Sequence, residues 1–152
     1  MNIIYRNYKY DYDLDTIKAL KNICKNNKRK FYISNNLDLA LKLNLDGVYI
    51  PSFNKSLKIK YLPKKKFEIL GSAHNFKEIY FKKKQGVSKI FISPVFKVRK
   101  SNRFLGVVKY NLLSKYIYNE NIALGGINKD NIKKIKMISC KGFAGITFFK
   151  HG

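Results

Sequence analysis

Apolar residues along this chain fall into short runs, and the stretches between them carry helical spacing. The first run is Asn2 to Arg6 (NIIYR). Behind it Leu14, Ile17, Leu20, Ile23 and Cys24 share one helical face, with Asp13 placed to cap the helix. Phe31-Tyr32-Ile33 follows, then a short helical segment from Leu37 to Leu43. The run Gly47 to Ile50 is stopped by Pro51, which cannot donate to a ladder. A basic loop with Lys64, Lys65 and Lys66 leads to Glu68–Leu70. The next helix opens at Asn75, has Glu78 three residues on, and closes at Gly86. Lys89 to Ser93 is the next strand, followed by a second basic loop and a helix near Tyr110 to Tyr116. Ile122 to Leu124, a helix capped by Asn128 with Ile132 and Ile135 inward, and Phe143 to Phe148 complete the chain.

Seven strand candidates thus alternate with helices, about every 20–25 residues. The alternation predicts a parallel sheet with helices outside it. An open doubly wound sheet and a barrel both fit the alternation. A doubly wound dinucleotide fold places its glycine-rich turn after the first strand, but here that strand ends in Arg6-Asn7-Tyr8. The Gly125-Gly126 pair instead follows the penultimate strand, where barrels build phosphate sites. The chain reads as one domain over residues 1–152, short for a complete eight-stranded barrel of about 250 residues.

Charge adds one constraint. The chain carries 32 basic and 9 acidic residues, a formal charge of +23. A polyanionic partner would explain this, but so would drift toward Lys, Asn, Ile, Tyr and Phe. Arginine, the better bidentate reader of phosphate and guanine, occurs only at positions 6, 29, 99 and 103. The drift explanation is preferred, and a nucleic-acid partner ranks last because no binding motif appears. The field still favours anionic substrates. Cys24 and Cys140 stand apart without metal-ligand spacing, as buried thiols of a reducing compartment would. Charged residues arrive at Arg6 and Lys9, too early for a signal peptide. No apolar run reaches the ~20 residues a membrane helix needs. A soluble cytoplasmic protein is expected; a homo-oligomer is left open.

Five segments in one order resemble the thiamine-phosphate synthase/TenI superfamily. DLALKLNLDGVYI contains Asp38-Leu39-Ala40 and Asp46-Gly47-Val48. ILGSAHNFKEI is similar to a Gly-x-Ser-x-His segment, one residue shorter between Gly71 and His74. KIFISPVF resembles Gly-Pro-Val-Phe with Ser93 in place of the glycine, IALGGIN resembles Ile-Gly-Gly-Ile, and GFAGITFF resembles the final strand. The resemblance covers nearly the whole chain from Ile3. It implies a TIM-type (β/α) barrel, N-terminally truncated to about seven parallel strands, with IIYRNYK, Ile3 to Lys9, as the family's second strand. Such a barrel would leave an unpaired edge.

The resemblance implies a small phosphorylated substrate, a thiazole phosphate, joined in a synthase to a pyrimidine pyrophosphate. Arg6 matches the substrate-phosphate arginine. Asn35, Ser72, Lys100, Gly125, Gly126 and the loop around Thr147 complete the implied substrate and phosphate contacts. Glycines leaving a strand let backbone N–H groups approach an anion, although a tight strand-to-helix turn would also explain them. The family's synthases hold Mg²⁺ with two aspartates, whose positions are Asn35 and Asn54 here. Two neutral amides should weaken a hard-cation site. Ser34 replaces an asparagine, Ile4 and Tyr8 replace the glutamine and lysine flanking the arginine, Tyr49 replaces a histidine and Val98 a threonine. Mg²⁺ is therefore expected only if synthase chemistry survives, and otherwise no cofactor. His74 is the candidate general acid/base, because imidazole exchanges protons near neutral pH; TenI-type tautomerases place a catalytic histidine in this segment. A histidine merely bonded to backbone at a helix start is the plainer alternative. His151, at the C-terminus, is expected to be inert. Three functions stay open: the synthase, a metal-independent thiazole tautomerase, and a non-catalytic phosphate-binding relic.

Overall fold

The computed structural model describes residues 1–8, 11–61, 66–99, 101–146 and 148. Lys9, Lys64, Lys65, Lys100, Thr147 and His151 lie outside them. The elements run β1 (Ile3–Tyr5), α1 (Leu14–Asn26), β2 (Phe31–Ser34), α2 (Leu37–Lys42), β3 (Gly47–Ile50), a 3₁₀ turn (Lys58–Tyr61), β4 (Glu68–Ala73), α3 (Phe76–Lys84), β5 (Lys89–Ile92), α4 (Gly106–Ser114), β6 (Glu120–Leu124), a second 3₁₀ turn (Ile132–Met137) and β7 (Gly142–Ala144). All strand pairs are parallel and the order is β1-β2-β3-β4-β5-β6-β7. The predicted parallel sheet in chain order is what forms, curled into a half-barrel.

Strand alternation sorts the apolar residues into two layers. Tyr32, Tyr49, Leu70 and Phe91 fill the concave side, with Ile4, Ile122, Leu124 and Ala144 against them. Their sequence neighbours, such as Ile33, Val48, Ile69 and Ile90, face the helices. Both faces of the central strands are therefore covered, as a parallel sheet requires. The edges are less protected: β2 and β3 are buried throughout, whereas no residue of β1 or β7 is.

The helices follow their caps. Asp13 accepts from Asp15 N and Thr16 N, Asn36 from Leu39 N, and Asn75 from Glu78 N. Two expectations fail locally. Asn128 does not cap an α-helix: its Oδ1 closes a turn onto the Asp130 and Asn131 N–H groups, and only the 3₁₀ turn follows. Ile132 and Ile135 still pack on the core. The last strand is Gly142–Ala144 rather than the longer Phe143–Phe148.

Gly47 shows how closely the strands approach. A Cβ there would lie 2.0 Å from the carbonyl oxygen of Glu68 on β4. Gly47→Ala should therefore force β3 from β4 and lower stability by about 2–4 kcal/mol. Urea unfolding would measure it; a change within about 0.5 kcal/mol, the range of an ordinary surface substitution, would contradict this close packing.

Candidate active site

The loops after the strands gather on the rim formed by the strands' carboxyl ends. On the β1–β3 side, Arg6 lies over the Tyr8 ring, 5.4 Å from its centroid. The Tyr8 hydroxyl pairs with Ser34 Oγ at 2.7 Å, and the Tyr12 hydroxyl donates to the Ser34 carbonyl. Tyr49 sits below them, edge-on to Phe91. Burial pushes its phenol above the ordinary value, opposed by a hydrogen bond with buried Ser72 and by the Arg6 charge. Arg6, Ser72, Ser34 and Tyr49 thus belong to one cluster. A cleft of about 540 Å³ opens beside it, lined by Asn7, Tyr8, Asp11, Tyr12, Asn35, Asn36 and Phe53.

Asn35 and Asn54 meet at the edge of this cleft. Asn35 holds a left-handed backbone, φ 58°, which asparagine tolerates better than most residues. The Asn54 Nδ2 donates to Asn35 Oδ1 at 2.7 Å, and Asn54 Oδ1 accepts from Ser56 N at 2.9 Å. Both amide oxygens are engaged, and Asp11 is the one carboxylate lining the cleft. Among the described residues, no group of three or more His, Cys, Asp or Glu could hold a metal. This neutral, self-satisfied pair does not fit a hard dication such as Mg²⁺.

On the β4–β6 side, His74 follows β4 and its Nδ1 lies 2.6 Å from the Ser93 carbonyl oxygen. Its own N–H donates to Glu78 Oε2 at 2.7 Å. A carbonyl only accepts, so Nδ1 is the donor there, and Nε2 is the ring nitrogen left for proton exchange. The histidine is bonded to backbone and exposed at the rim at once. Beyond Ser93, after β6, Gly125 and Gly126 turn with φ 90° and 72°. A Cβ on Gly126 would lie 2.4 Å from the Phe96 oxygen, and one on Gly125 3.0 Å from Pro94 Cα. Val95 N and Phe96 N donate to the Leu124 and Gly125 carbonyls, and Asn131 Nδ2 to that of Gly126. The pair is thus required for packing against the Pro94–Lys97 loop, whatever else it binds. Lys100 and Thr147 lie outside the described residues.

The residues that sequence inspection missed lie behind the rim. Lys82, fully buried on α3, donates to Pro51 O at 2.7 Å, Asn54 O at 2.9 Å and Gln85 Oε1 at 2.9 Å. Gln85, also fully buried, donates to Asn54 O and Ser56 O. Lys82 hides in the Lys82-Lys83-Lys84 run, but its spacing from Ile79 puts it on the core face.

A family model described as thiamine monophosphate synthase matches residues 3–149. The chain belongs to the thiamine monophosphate synthase family. A thiamine-phosphate synthase of Prochlorococcus marinus is 34% identical over 133 residues, 85% of this chain and 38% of that protein. Another, from Prochlorococcus marinus subsp. pastoris, is 32% identical over 142 residues, 90% of this chain and 40% of that protein. The chain therefore spans about two fifths of the length of these family members. A solved structure of thiamine phosphate pyrophosphorylase from Pyrococcus furiosus superposes with a TM-score of 0.73 at 20% identity, covering 87% of this chain and 64% of that one. The family fold is thus the one formed here. Among the described residues, no helix is long and apolar enough to cross a membrane.

Burial lowers the Lys82 ammonium to about 8, with Glu78 pulling it back upward. Because the folded-state value lies below the unfolded one, the unfolded chain binds more protons between pH 8 and 10.5. The cost of burying the charged form is present below pH 8 and is relieved as pH rises through that window. The stability of the wild type relative to Lys82→Met should therefore increase from pH 8 to pH 10.5. Urea unfolding of both at each pH checks this; a flat or falling difference would refute the lowered value.

Proposed function

We propose that this chain acts in thiamine biosynthesis on a thiazole phosphate, and that its chemistry is a metal-independent proton shift at His74. The observation that carries the proposal is the His74 ring held by the carbonyl of Ser93, a residue whose other side lies against the turn at Gly125. With Nδ1–H fixed, Nε2 faces outward as a base; after taking a proton from one atom of the substrate it can return it to another. Nothing is oxidised and no group leaves, so the reaction needs no electrostatic support for a departing pyrophosphate. The carbonyls of both glycines are engaged within the protein, and an anion would meet the backbone N–H groups of the turn. Arg6, at the end of β1, supplies a cationic side chain for the same phosphate. The small phosphorylated substrate is the only partner this reading requires.

Synthase chemistry is the second reading, favoured by the two asparagines meeting where the family's resemblance places metal ligands. It demands that a site of neutral donors stabilise a departing pyrophosphate. A non-catalytic binding protein would keep the phosphate site and lack turnover.

Solvent-deuterium exchange into a phosphorylated thiazole, followed by NMR, separates these readings. His74→Ala and His74→Gln should each slow exchange roughly 10²–10⁴-fold, and a chelator should change nothing. Strictly Mg²⁺-dependent thiamine-phosphate formation that is indifferent to His74 would overturn the proposal. Substrate binding needs a separate test, because any side chain at Gly126 collides with Phe96 whether or not phosphate binds there. Arg6→Gln should weaken calorimetric binding of the phosphorylated thiazole about 10-fold and leave the dephosphorylated form unaffected, as removal of one charge-assisted contact would. Equal affinity of wild type and variant would take Arg6 out of the site.

A further inference from the structure

We infer that Lys82 and Gln85 are a positioning pair that holds the loop after β3, and with it Asn54 and Phe53, against the mouth of the cleft. The inference rests on the cleft being a ligand site, as proposed above.

Side chains from the end of α3 tie this loop down. Lys82 reaches Pro51 and Asn54 from beneath, and Gln85 reaches Asn54 and Ser56. The Asn54 carbonyl accepts from both. With its backbone fixed this way, Asn54 presents its amide to Asn35, and Phe53 stands edge-on to Tyr8, ring centroids 5.7 Å apart. The route from the buried pair to the rim is therefore continuous: α3, the Pro51–Ser56 backbone, Asn54, then Asn35 and the cleft wall.

A buried ammonium needs its acceptors nearby, and an unpaired buried carbonyl is costly. Each side of this arrangement holds the other. Neither Lys82 nor Gln85 is exposed to a ligand, so neither is a catalytic residue. Both act through Asn54.

Gly71 belongs to the same device. A Cβ at Gly71 would lie 2.9 Å from Lys82 Cδ and 3.0 Å from Val87 Cγ2. The glycine in the Gly71-Ser72-Ala73-His74 segment thereby makes room for the lysine stem. One strand then sets two things: His74 at the rim, and the space in which Lys82 crosses beneath the neighbouring loop.

Hydrogen exchange on the intact protein tests this. In Lys82→Met, amide exchange should rise on the order of 10-fold or more across 52–56, while β4 and β5 keep wild-type protection. Gly71→Ala should also raise exchange across 52–56, because its Cβ would press on the Lys82 stem, with a separate effect on β4 from its contact with Val87. Calorimetric binding of a phosphorylated thiazole should weaken in step with the loop. If the wild type binds no such probe, the ligand reading fails while the exchange data still decide the positioning role. Unchanged protection of 52–56 in Lys82→Met would overturn the inference. Should Lys82→Met not fold, ¹⁵N-lysine spectra of the wild type decide: a slowly exchanging ammonium with contacts to Pro51 and Asn54 supports it, and its absence overturns it.

Discussion

Parallel pairing in chain order is the constraint on which the rest depends. Every strand must run the same way, so every strand's carboxyl end opens on the same rim. Residues far apart in sequence then meet without any long-range signal of their own. Arg6 leaves β1, Asn35 follows β2, Asn54 lies beyond β3, His74 follows β4, Ser93 follows β5 and Gly125 follows β6. Alternation within each strand does the second half of the sorting. Tyr49, Ser72 and Phe91 face the concave side because their neighbours Val48, Ala73 and Ile90 pack toward the helices. The edge strands β1 and β7 lack the burial of the centre, and they flank the opening that seven strands leave in a barrel.

That geometry explains which features were legible in the sequence. The strands β2 and β3 and the cap residues Asp13 and Asn75 could be placed because each rests on local chemistry: a short apolar run, a proline stop, a side-chain oxygen before a helical face. The turn after Asn128 could not. An asparagine closing its own turn and one capping a helix look alike in sequence, and the choice depends on how Ile132 and Ile135 reach the core. The site was legible as a set of positions but not as a set of contacts. Asn35 and Asn54 stood out as neutral residues where carboxylates were expected. That their amides bond one another depends on a left-handed backbone at Asn35 and on a loop fixed from below. Lys82 was invisible for a related reason: its chemistry is ordinary for the surface, and only Ile79 one helical turn earlier points to its burial.

The two sides of the rim carry different kinds of order. On the β1–β3 side the hydroxyls of Tyr8 and Tyr12 bond Ser34, Tyr49 pairs separately with Ser72, and Arg6 lies against an aromatic face. Such groups can exchange partners with an entering ligand at little cost. On the β4–β6 side the contacts are backbone ones: His74 to the Ser93 carbonyl, and the Pro94–Lys97 loop against the two glycines. Those fix a ring and a turn with little freedom to adjust. A proton-transferring group benefits from the second kind of surroundings, because its reach must be set before substrate arrives.

The distribution of acidic residues sharpens this contrast. Only 9 carboxylates offset 32 basic residues, so the places where acids stand show what the fold requires of negative charge. Asp13 caps α1, and Asp46 accepts from the Phe31 N–H at 2.8 Å. Glu78 receives the His74 N–H at the start of α3. Glu68 ties Lys30, Tyr32 and Lys89 together at the amino ends of the strands, and Glu120 also reaches Lys89. Each of these carboxylates satisfies backbone or neutralises a lysine away from the cleft. The cleft itself has Asp11 in its lining beside neutral amides and phenols, with Arg6 over the Tyr8 ring. A cleft so composed disfavours a doubly charged cation, and the surplus of basic residues around it would favour an anion such as the phosphate proposed above.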